Sequence, residues 1–253
     1  MARISEAKWN RELAALRRLY EWAARQGQVT ASPVTVKTVR DRHGDVVEVA
    51  QARARDVRSS NVKWLTPRAF RLWRDVGLRG YTAEGRRDAS WRGRHDDRNA
   101  AFADLLYSSG LRRTEAGSLL TIELPALAGT QRYFDARLAG AVAKGKRPRT
   151  FYISAGALRD IEAYRATTRR AVIRRAQAAD RYEQLDEIWL VTELTGRPRR
   201  VLNWRDRRGR VGQGSLNSLD PDERRLLFAQ GEAGLEPFWL WLSEDGTPFG
   251  EHS

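Results

Sequence analysis

Three groups of residues have the types and spacing needed to hold a phosphate ester. The first is the run His-Asp-Asp-Arg at residues 95–98. Side chains three positions apart on a helix share one face, so His95 and Arg98 could clamp a phosphate together. The run stands where a helix is predicted to begin, however. The sequence therefore favours a plainer interpretation, in which the run is a solvated loop and Asp97 caps the helix.

The second group is the run Ser-Ser-Gly-Leu-Arg-Arg-Thr-Glu at residues 108–115, which has an apolar segment on either side. Gly110 is expected to end one helix, and Leu111 to fill the core. Arg112 then emerges from a turn between two packed helices, where Glu115 can hold its guanidinium with the donors turned toward a phosphate. The alternative is an ordinary surface ion pair between Arg112 and Glu115, which is common at this spacing.

The third group is the run Ala-Lys-Gly-Lys-Arg at residues 143–147. Strand-like segments at 137–142 and 150–153 flank it, which predicts a β-hairpin with Lys144 projecting from a strand end. A lysine that is desolvated beside arginines can have its pKa lowered enough to donate a proton. The alternative is a solvated basic turn that contacts phosphates without specificity.

A helix-rich chain carries these groups. Apolar spacing predicts helices over residues 8–26, 66–77, 97–109, 114–120 and 221–228, and a long helix after Ser154 that carries Ala171 among its inward-facing residues. Thr66, Ser154 and Asp220 are the expected N-caps of three of them. Strand candidates lie at 188–191, 201–204 and 238–242. The predicted fold class is mainly α with small β-sheets, an α+β arrangement.

Residues 28–61 mix proline, glycine, serine and charged residues without a sustained period. This composition predicts a linker between two units, with a boundary near Ser60. The alternative is a surface loop with a short hairpin around His43 and Gly44. The predicted domains are residues 1–60 and 61–253.

The balance of charged residues predicts a polyanionic partner. The 253 residues include 46 Lys and Arg against 32 Asp and Glu, a formal net charge of +14. Nucleic acid is the commonest partner for such an excess. The arginine-rich helical segment 169–181 leaves an RNA-associated or ribosome-associated role open, although such a charge run is more often one solvated face of a helix.

Composition also excludes several kinds of chemistry. With no cysteine and three scattered histidines, we expect no zinc ribbon, iron–sulfur cluster or thiol nucleophile, and no metal site. No apolar run approaches the ~18 residues that span a bilayer, and the N-terminus lacks the apolar core of a signal peptide. We therefore expect a cytoplasmic protein without a membrane partner.

Taken in order, the motifs resemble the tyrosine recombinase family of phage-integrase type: Ser-Gly-Leu-Arg-x-x-Glu after a helix, then a hairpin with Lys-Gly-Lys, then a long helix. The resemblance implies that Arg112 clamps the scissile phosphate with support from Glu115, and that Lys144 is the hairpin lysine. Lys146, Arg147 and Arg149 become candidates for DNA contact.

The resemblance also implies a domain assignment and a reaction. The helix ending Glu-Trp-Ala-Ala-x-x-Gly at Gly27 is similar to the last helices of the family's core-binding domain, so residues 1–60 would be the C-terminal part of that DNA-clamping domain with its linker. Residues 61–253 would be the N-terminal part of the catalytic domain. The implied function is site-specific recombination or integration of double-stranded DNA through a 3′-phosphotyrosyl link, without a cofactor and with self-association on the attachment site.

Part of the family's catalytic set is missing from the expected places. The family needs His-x-x-Arg, a further His or Trp and a tyrosine nucleophile after the hairpin. The last tyrosine here is Tyr182, whose place at the end of the long helix predicts a surface contact. We therefore expect this chain to be an incomplete recombinase that binds DNA and does not cut it. The alternatives are a non-catalytic DNA-binding protein on the same scaffold, such as a decayed integrase or an accessory factor, and the RNA-associated protein named above.

Overall fold

The computed structural model describes residues 5–40, 44–54, 65–196 and 200–249. The chain divides into two compact units, Met1–Trp64 and Leu65–Ser253. The predicted boundary at Ser60 lies outside the described residues, close to this division. No helix within the described ranges is long and apolar enough to span a membrane.

The first unit contains one long helix and a hairpin: α1 (Glu6–Arg25), β1 (Val36–Arg40) and β2 (Val46–Ala50). The helix confirms the prediction for residues 8–26. The linker prediction is wrong for residues 36–40 and 46–50, because these two valine-rich segments pair antiparallel. The alternative hairpin is the one that forms, although His43 itself lies outside the described residues. Trp9 Nε1 donates to the carbonyl of Ala52 at 2.9 Å, which holds the segment after β2 against α1.

The second unit begins with the helices that precede the hairpin. They are α2 (Pro67–Trp73), which continues as a π-helical turn (Arg74–Leu78), then α3 (Asp96–Ser109), α4 (Arg113–Gly117) and a 3₁₀ turn (Thr121–Glu123). Thr66 caps α2 as predicted, since its hydroxyl accepts from the Ala69 N–H at 3.2 Å. The segment predicted as a helix over 114–120 is shorter than expected, because the chain turns into an extended bridge between Leu120 and Trp239.

The long helix predicted after Ser154 is divided by a second π-helical turn. It consists of α5 (Ala155–Tyr164), the π turn (Arg165–Arg169) and α6 (Arg170–Ala178). Ser154 caps α5 as predicted, accepting from the Ala157 N–H. The wider π turn changes which residues face the core. Val172 is therefore buried, and Ala171, which the regular spacing placed inside, is exposed.

The strands of the second unit form two sheets. The hairpin pairs β3 (Tyr133–Leu138) with β4 (Arg149–Ser154) antiparallel. A five-stranded sheet has the order β7-β6-β5-β8-β9 and consists of β5 (Trp189–Thr195), β6 (Val201–Asp206), β7 (Val211–Ser215), β8 (Leu227–Gly231) and β9 (Gly234–Pro237). Among the described strands, β5 and β8 pair parallel and the other pairs are antiparallel. The architecture is mixed helix and strand with small sheets, which confirms the α+β part of the prediction.

The sequence missed β7 because two glycines interrupt its apolar pattern. Trp204 on β6 lies over both of them, and a Cβ on Gly212 would come within 2.5 Å of the indole. A Cβ on Gly214 would come within 3.0 Å. Trp204 also stacks on Trp189 with ring centroids 4.5 Å apart. The glycines of the edge strand β7 thus make room for an aromatic pair on the neighbouring strands β6 and β5.

The strand predicted at 238–242 is wrong. That segment is deeply buried, and side chains hold its backbone in place of a continuous ladder. Arg169 donates to the carbonyls of Pro237, Trp239 and Leu240 at 2.6–3.1 Å. Trp241 Nε1 donates to the carbonyl of Ala116 at 2.9 Å. The buried guanidinium therefore satisfies carbonyl groups that a sheet would otherwise pair.

The helix α7 (Pro221–Arg225) follows β7 and is capped by Asp220 as predicted. Its Arg224 is fully buried and forms an ion pair with Glu123, with Nη1 and Oε2 2.7 Å apart. Tyr182 corrects another expectation. Placed by the sequence at the surface, it is buried, and its hydroxyl donates to the carbonyl of Gly246.

Candidate nucleic-acid interface

The turn between α3 and α4 has the geometry that the sequence predicts. Gly110 ends α3 in the left-handed conformation, with φ of 64°, and its N–H donates to the Leu106 carbonyl. Leu111 is buried in the core. Arg112 then takes the N-cap position of α4, with its side chain 54% exposed. A buried turn thus holds the backbone of an arginine whose guanidinium reaches solvent.

Glu115 is the centre of the site. Its side chain is only 1% exposed, yet it accepts hydrogen bonds from three residues on three segments. Arg112 donates its backbone N–H at 2.9 Å and its Nη1 at 3.1 Å. The backbone N–H of Lys144 donates at 3.1 Å. Arg149 on β4 donates Nη1 at 3.1 Å and Nη2 at 2.6 Å.

This set of donors fixes the charge of Glu115. Burial by itself would raise the pKa of the carboxyl group. The hydrogen bonds from Arg149, from the Arg112 N–H and from the Lys144 N–H, with the charge of Arg149, outweigh burial and lower the pKa to about 2. Glu115 is therefore ionised at neutral pH, and it aligns the turn, the hairpin loop and β4 around a single anion.

Lys144 lies in a different place from the one predicted. The strand β3 ends at Leu138, so Lys144 belongs to the loop between β3 and β4 and does not stand at a strand end. Asn217 fixes the start of that loop, because its Oδ1 accepts from the Gly140 N–H at 2.8 Å and its carbonyl accepts from the Ala141 N–H at 3.0 Å. The Lys144 ammonium is exposed and has no partner among the described residues. Its backbone is anchored while its charge stays available.

The three candidates for DNA contact have different surroundings. Arg147 is exposed and pairs with no residue in the described ranges. Lys146 is exposed too, and its Nζ donates back to the Ala141 carbonyl at 3.0 Å. Arg149 gives two donors to Glu115, so its first role is to hold that carboxylate. Its side chain is still 38% exposed.

The run at residues 95–98 matches neither interpretation made from the sequence. Arg98 is buried, donates to the Leu242 carbonyl at 2.7 Å and lies over the Phe249 ring at 4.6 Å. His95 occupies the N-cap position of α3 with φ of 53°, and burial together with the Arg98 charge lowers its pKa. Asp97 is inside the first turn and is not the cap. The run joins α3 to the 242–249 segment and does not form a phosphate clamp.

Sequence reasoning missed Asn217 and Arg200, which come close to the hairpin only in the folded chain. Asn217 contacts the hairpin loop as described above, and Arg200 shares a cleft with Arg137 of β3. Arg137 had a local signal, because the alternation along β3 places it on the outer face. Asn217 had none. The described residues contain no group of three histidine, aspartate or glutamate side chains that could hold a metal ion.

Comparisons of the chain with models of known protein families, with characterised proteins and with solved structures found no match. The resemblance to tyrosine recombinases therefore rests on the sequence motifs alone.

Proposed function

We propose that this chain is part of a tyrosine-type site-specific DNA recombinase, in which Arg112 and Lys144 act on the phosphate that is cut. The observation that carries the proposal is the shared anchor. The carboxylate of Glu115 binds the backbone N–H groups of both Arg112 and Lys144, although the two residues belong to different elements. One buried side chain thus anchors the backbone of both residues, which supports assigning their two cations to one phosphate.

The roles follow from the chemistry of the two side chains. In the reaction, a tyrosine hydroxyl attacks the phosphorus, the 3′-phosphotyrosyl bond forms and the bond to the 5′ oxygen breaks. The guanidinium of Arg112 has one Nη on Glu115, and its other donors can stabilise the equatorial oxygens of the pentacoordinate phosphorane. The Lys144 ammonium can protonate the departing 5′ oxygen. Because the phosphotyrosyl bond conserves the energy of the broken ester, these steps require no cofactor.

Two of the tyrosines are unsuited to be the nucleophile. Tyr164 accepts a hydrogen bond from the Leu242 N–H and is 1% exposed, and Tyr182 is buried as described above. Burial also raises the pKa of both phenols. A hydroxyl that is buried and already bonded cannot reach a phosphate in a DNA duplex. Tyr164 and Tyr182 are the two tyrosines that follow the hairpin, where the resemblance requires the nucleophile, so we expect these 253 residues to bind DNA without becoming attached to it.

Duplex binding through phosphates is the first test. Affinity for a duplex, followed by fluorescence anisotropy, should fall by about 10³-fold or more between about 50 and 200 mM salt if six to ten phosphates are neutralised. Arg112→Ala and Lys144→Ala should each lower the salt dependence by about one phosphate. Arg170→Ala is the matched control, since Arg170 is an exposed arginine on α6. An equal loss in all three variants would contradict a localised site.

Cleavage is the second test. A nicked suicide duplex that carries the attachment site should give no covalent adduct with the 253-residue chain on denaturing electrophoresis. An adduct that is lost when one of its seven tyrosines becomes phenylalanine would show that the chain carries its own nucleophile. The same assay applies to a protein extended to include every codon of its gene. If that protein binds a duplex sequence-specifically and forms no adduct, the result favours the non-catalytic alternative.

A further inference from the structure

A cleft of about 1210 Å³ opens beside the β3–β4 hairpin. The hairpin contributes Arg137 and Thr150 to the lining of this cleft, and Arg200 and the segment 215–217 line it as well. Pro148, at the end of the loop that carries Lys144, also lines it. The cleft therefore continues from the loop that we propose to contact DNA.

Two arginines in this cleft pair with no carboxylate among the described residues. Arg137 is exposed and Arg200 is half-buried, and neither side chain bonds to any group in the part of the chain that the structure describes. Most partly buried arginines elsewhere in the molecule are paired, as Arg74 is with Asp104 at 2.9 Å. Two unpaired guanidinium groups that share a cleft are suited to phosphate groups, which their planar donors can bind in pairs.

The outer face of the hairpin adds aromatic rings to this charge. Tyr133 and Tyr152 are each 59% exposed. The register pairs Tyr152 with Asp135, and Thr150 with Arg137, so these side chains follow one another along the same face. From the loop outward, the face therefore presents Arg137 first, then Tyr152, then Tyr133.

We propose that this face and its cleft bind an unpaired, single-stranded segment of nucleic acid. Phosphates would lie on Arg137 and Arg200, and bases would stack on Tyr152 and Tyr133. Exposed aromatic rings beside a cationic groove are how proteins hold single strands, because every base has a π-face to stack on. In an intact duplex those faces are covered by neighbouring bases. The carboxylate of Asp135 repels phosphate, so beside Asp135 and its partner Tyr152 the strand would place a base and not a phosphate.

This inference rests on the proposed function and deepens it, since it adds unpaired DNA next to the cutting site as a substrate class.

The experiment compares the binding of two probes by fluorescence anisotropy. One is an oligothymidylate of about 20 nucleotides, which exceeds the site size of a typical single-strand binding fold. The other is a blunt duplex of the same length. The variants are Tyr152→Leu and Tyr133→Leu, with Tyr152→Phe as the control that keeps the ring. Arg137→Ala with Arg200→Ala tests the phosphate contacts, and Arg170→Ala is the control for loss of one charge.

Each leucine variant should weaken oligothymidylate binding by about five-fold to 100-fold and leave duplex binding unchanged, because stacking requires an unpaired base. Tyr152→Phe should bind as the parent chain does. The double arginine variant should lower the salt dependence of oligothymidylate binding by about 1.4. Because all four residues are exposed or half-buried, thermal unfolding should show that every variant folds.

Equal losses for oligothymidylate and duplex would overturn the inference, as would unchanged oligothymidylate affinity in the leucine variants, which would indicate that the tyrosines face a protein. Either result leaves the proposed function standing if Arg112→Ala and Lys144→Ala still weaken duplex binding. If Arg112→Ala and Lys144→Ala leave duplex binding unchanged, the proposed function is overturned. The oligothymidylate results then still decide whether the hairpin face binds a single strand.

Discussion

Glu115 and Arg149 form a paired-donor ion pair between α4 and β4, with Nη1–Oε1 at 3.1 Å and Nη2–Oε2 at 2.6 Å. The carboxylate is buried, while the guanidinium is partly exposed. The pair ties the hairpin to the turn that carries Arg112, so both the stability of the second unit and the position of the candidate site depend on it.

Replacing Glu115 should therefore destabilise the protein. Glu115→Gln keeps the shape of the side chain and removes the charge that Arg149 and the two N–H groups bind. We expect the free energy of unfolding to fall by about 3–4 kcal/mol, since one pKa unit corresponds to about 1.4 kcal/mol and breaking a buried pair is costly. Urea unfolding measures the change.

The pH dependence of the same variant gives a sharper test. The pKa of Glu115 is lower in the folded chain, at about 2, than its ordinary value of 4.5. Its contribution is thus complete above about pH 4.5 and is lost as the pH falls toward 2. In Glu115→Gln that part of the acid-induced loss should disappear. The control is Glu162→Gln, which removes an exposed pair with Arg165 and should change stability by less than about 1 kcal/mol.

A second buried carboxylate, that of Asp104, should make the stability depend on pH in the opposite direction. Asp104 on α3 binds Arg74, but burial, with a further contribution from Asp160, raises its pKa to about 6. A raised carboxyl pKa means that its stabilising effect is complete below about pH 4 and is lost as the pH rises through 6.

Asp160→Asn should reduce that loss, because it removes the like charge beside Asp104. The urea midpoint of this variant should change less between pH 4 and 7 than that of the parent chain, and an NMR titration of Asp104 should show a lower pKa. Asp160 also pairs with Arg79 at 2.9 Å, so overall stability at neutral pH should fall slightly. An unchanged Asp104 pKa would contradict the role given to Asp160. Asp222→Asn, at a highly exposed carboxylate, is the control.

Asn217→Ala should weaken DNA binding without removing a cation. Its Oδ1 accepts from the Gly140 N–H at 2.8 Å, and without that bond the loop that carries Lys144 loses one of the two hydrogen bonds by which Asn217 holds its start. We expect duplex affinity to fall about three-fold to ten-fold, the equivalent of one ordinary hydrogen bond. The salt dependence should stay the same, because no phosphate contact is lost. A reduced salt dependence would mean that the substitution displaces cations and does more than loosen the loop.

Lys144 can be tested as a general acid in a protein that carries the nucleophilic tyrosine. Lys144→Ala should slow cleavage of ordinary DNA by about 10²-fold to 10⁴-fold. A 5′-bridging sulfur departs without a proton, so it should restore most of the rate. The rate of Arg112→Ala should not be restored by the sulfur, because the Arg112 guanidinium stabilises the phosphorane and not the leaving group. Rescue of both variants, or of neither, would contradict the role of Lys144.

The helix ends show what could be predicted from the sequence. Thr66, Ser154 and Asp220 were expected to cap helices, and each accepts a hydrogen bond from an N–H within three residues. Gly110 was expected to end α3. These features depend on bonds between near neighbours, so the local sequence contains all the partners that matter. The turn at Arg112 could be predicted for the same reason.

Features that join distant segments could not be predicted. Nothing near Glu115 indicates that Arg149 and the Lys144 N–H will reach it, and nothing near Asn217 indicates that it will hold the hairpin loop. The π turn after Tyr164 is another such feature, since its extra residue per turn is stabilised by tertiary packing and not by its own sequence.

The sequence by itself thus determined which residue types are available, where helices start and stop, and that the chain is strongly cationic. Only the tertiary structure decided which of those cations are free. Arg98 and Arg169 look like solvated charges in the sequence, yet both are buried on backbone carbonyls, whereas Arg147 stays exposed. Burial of a charge depends on which distant groups can satisfy its donors, and that choice is made when the whole chain packs.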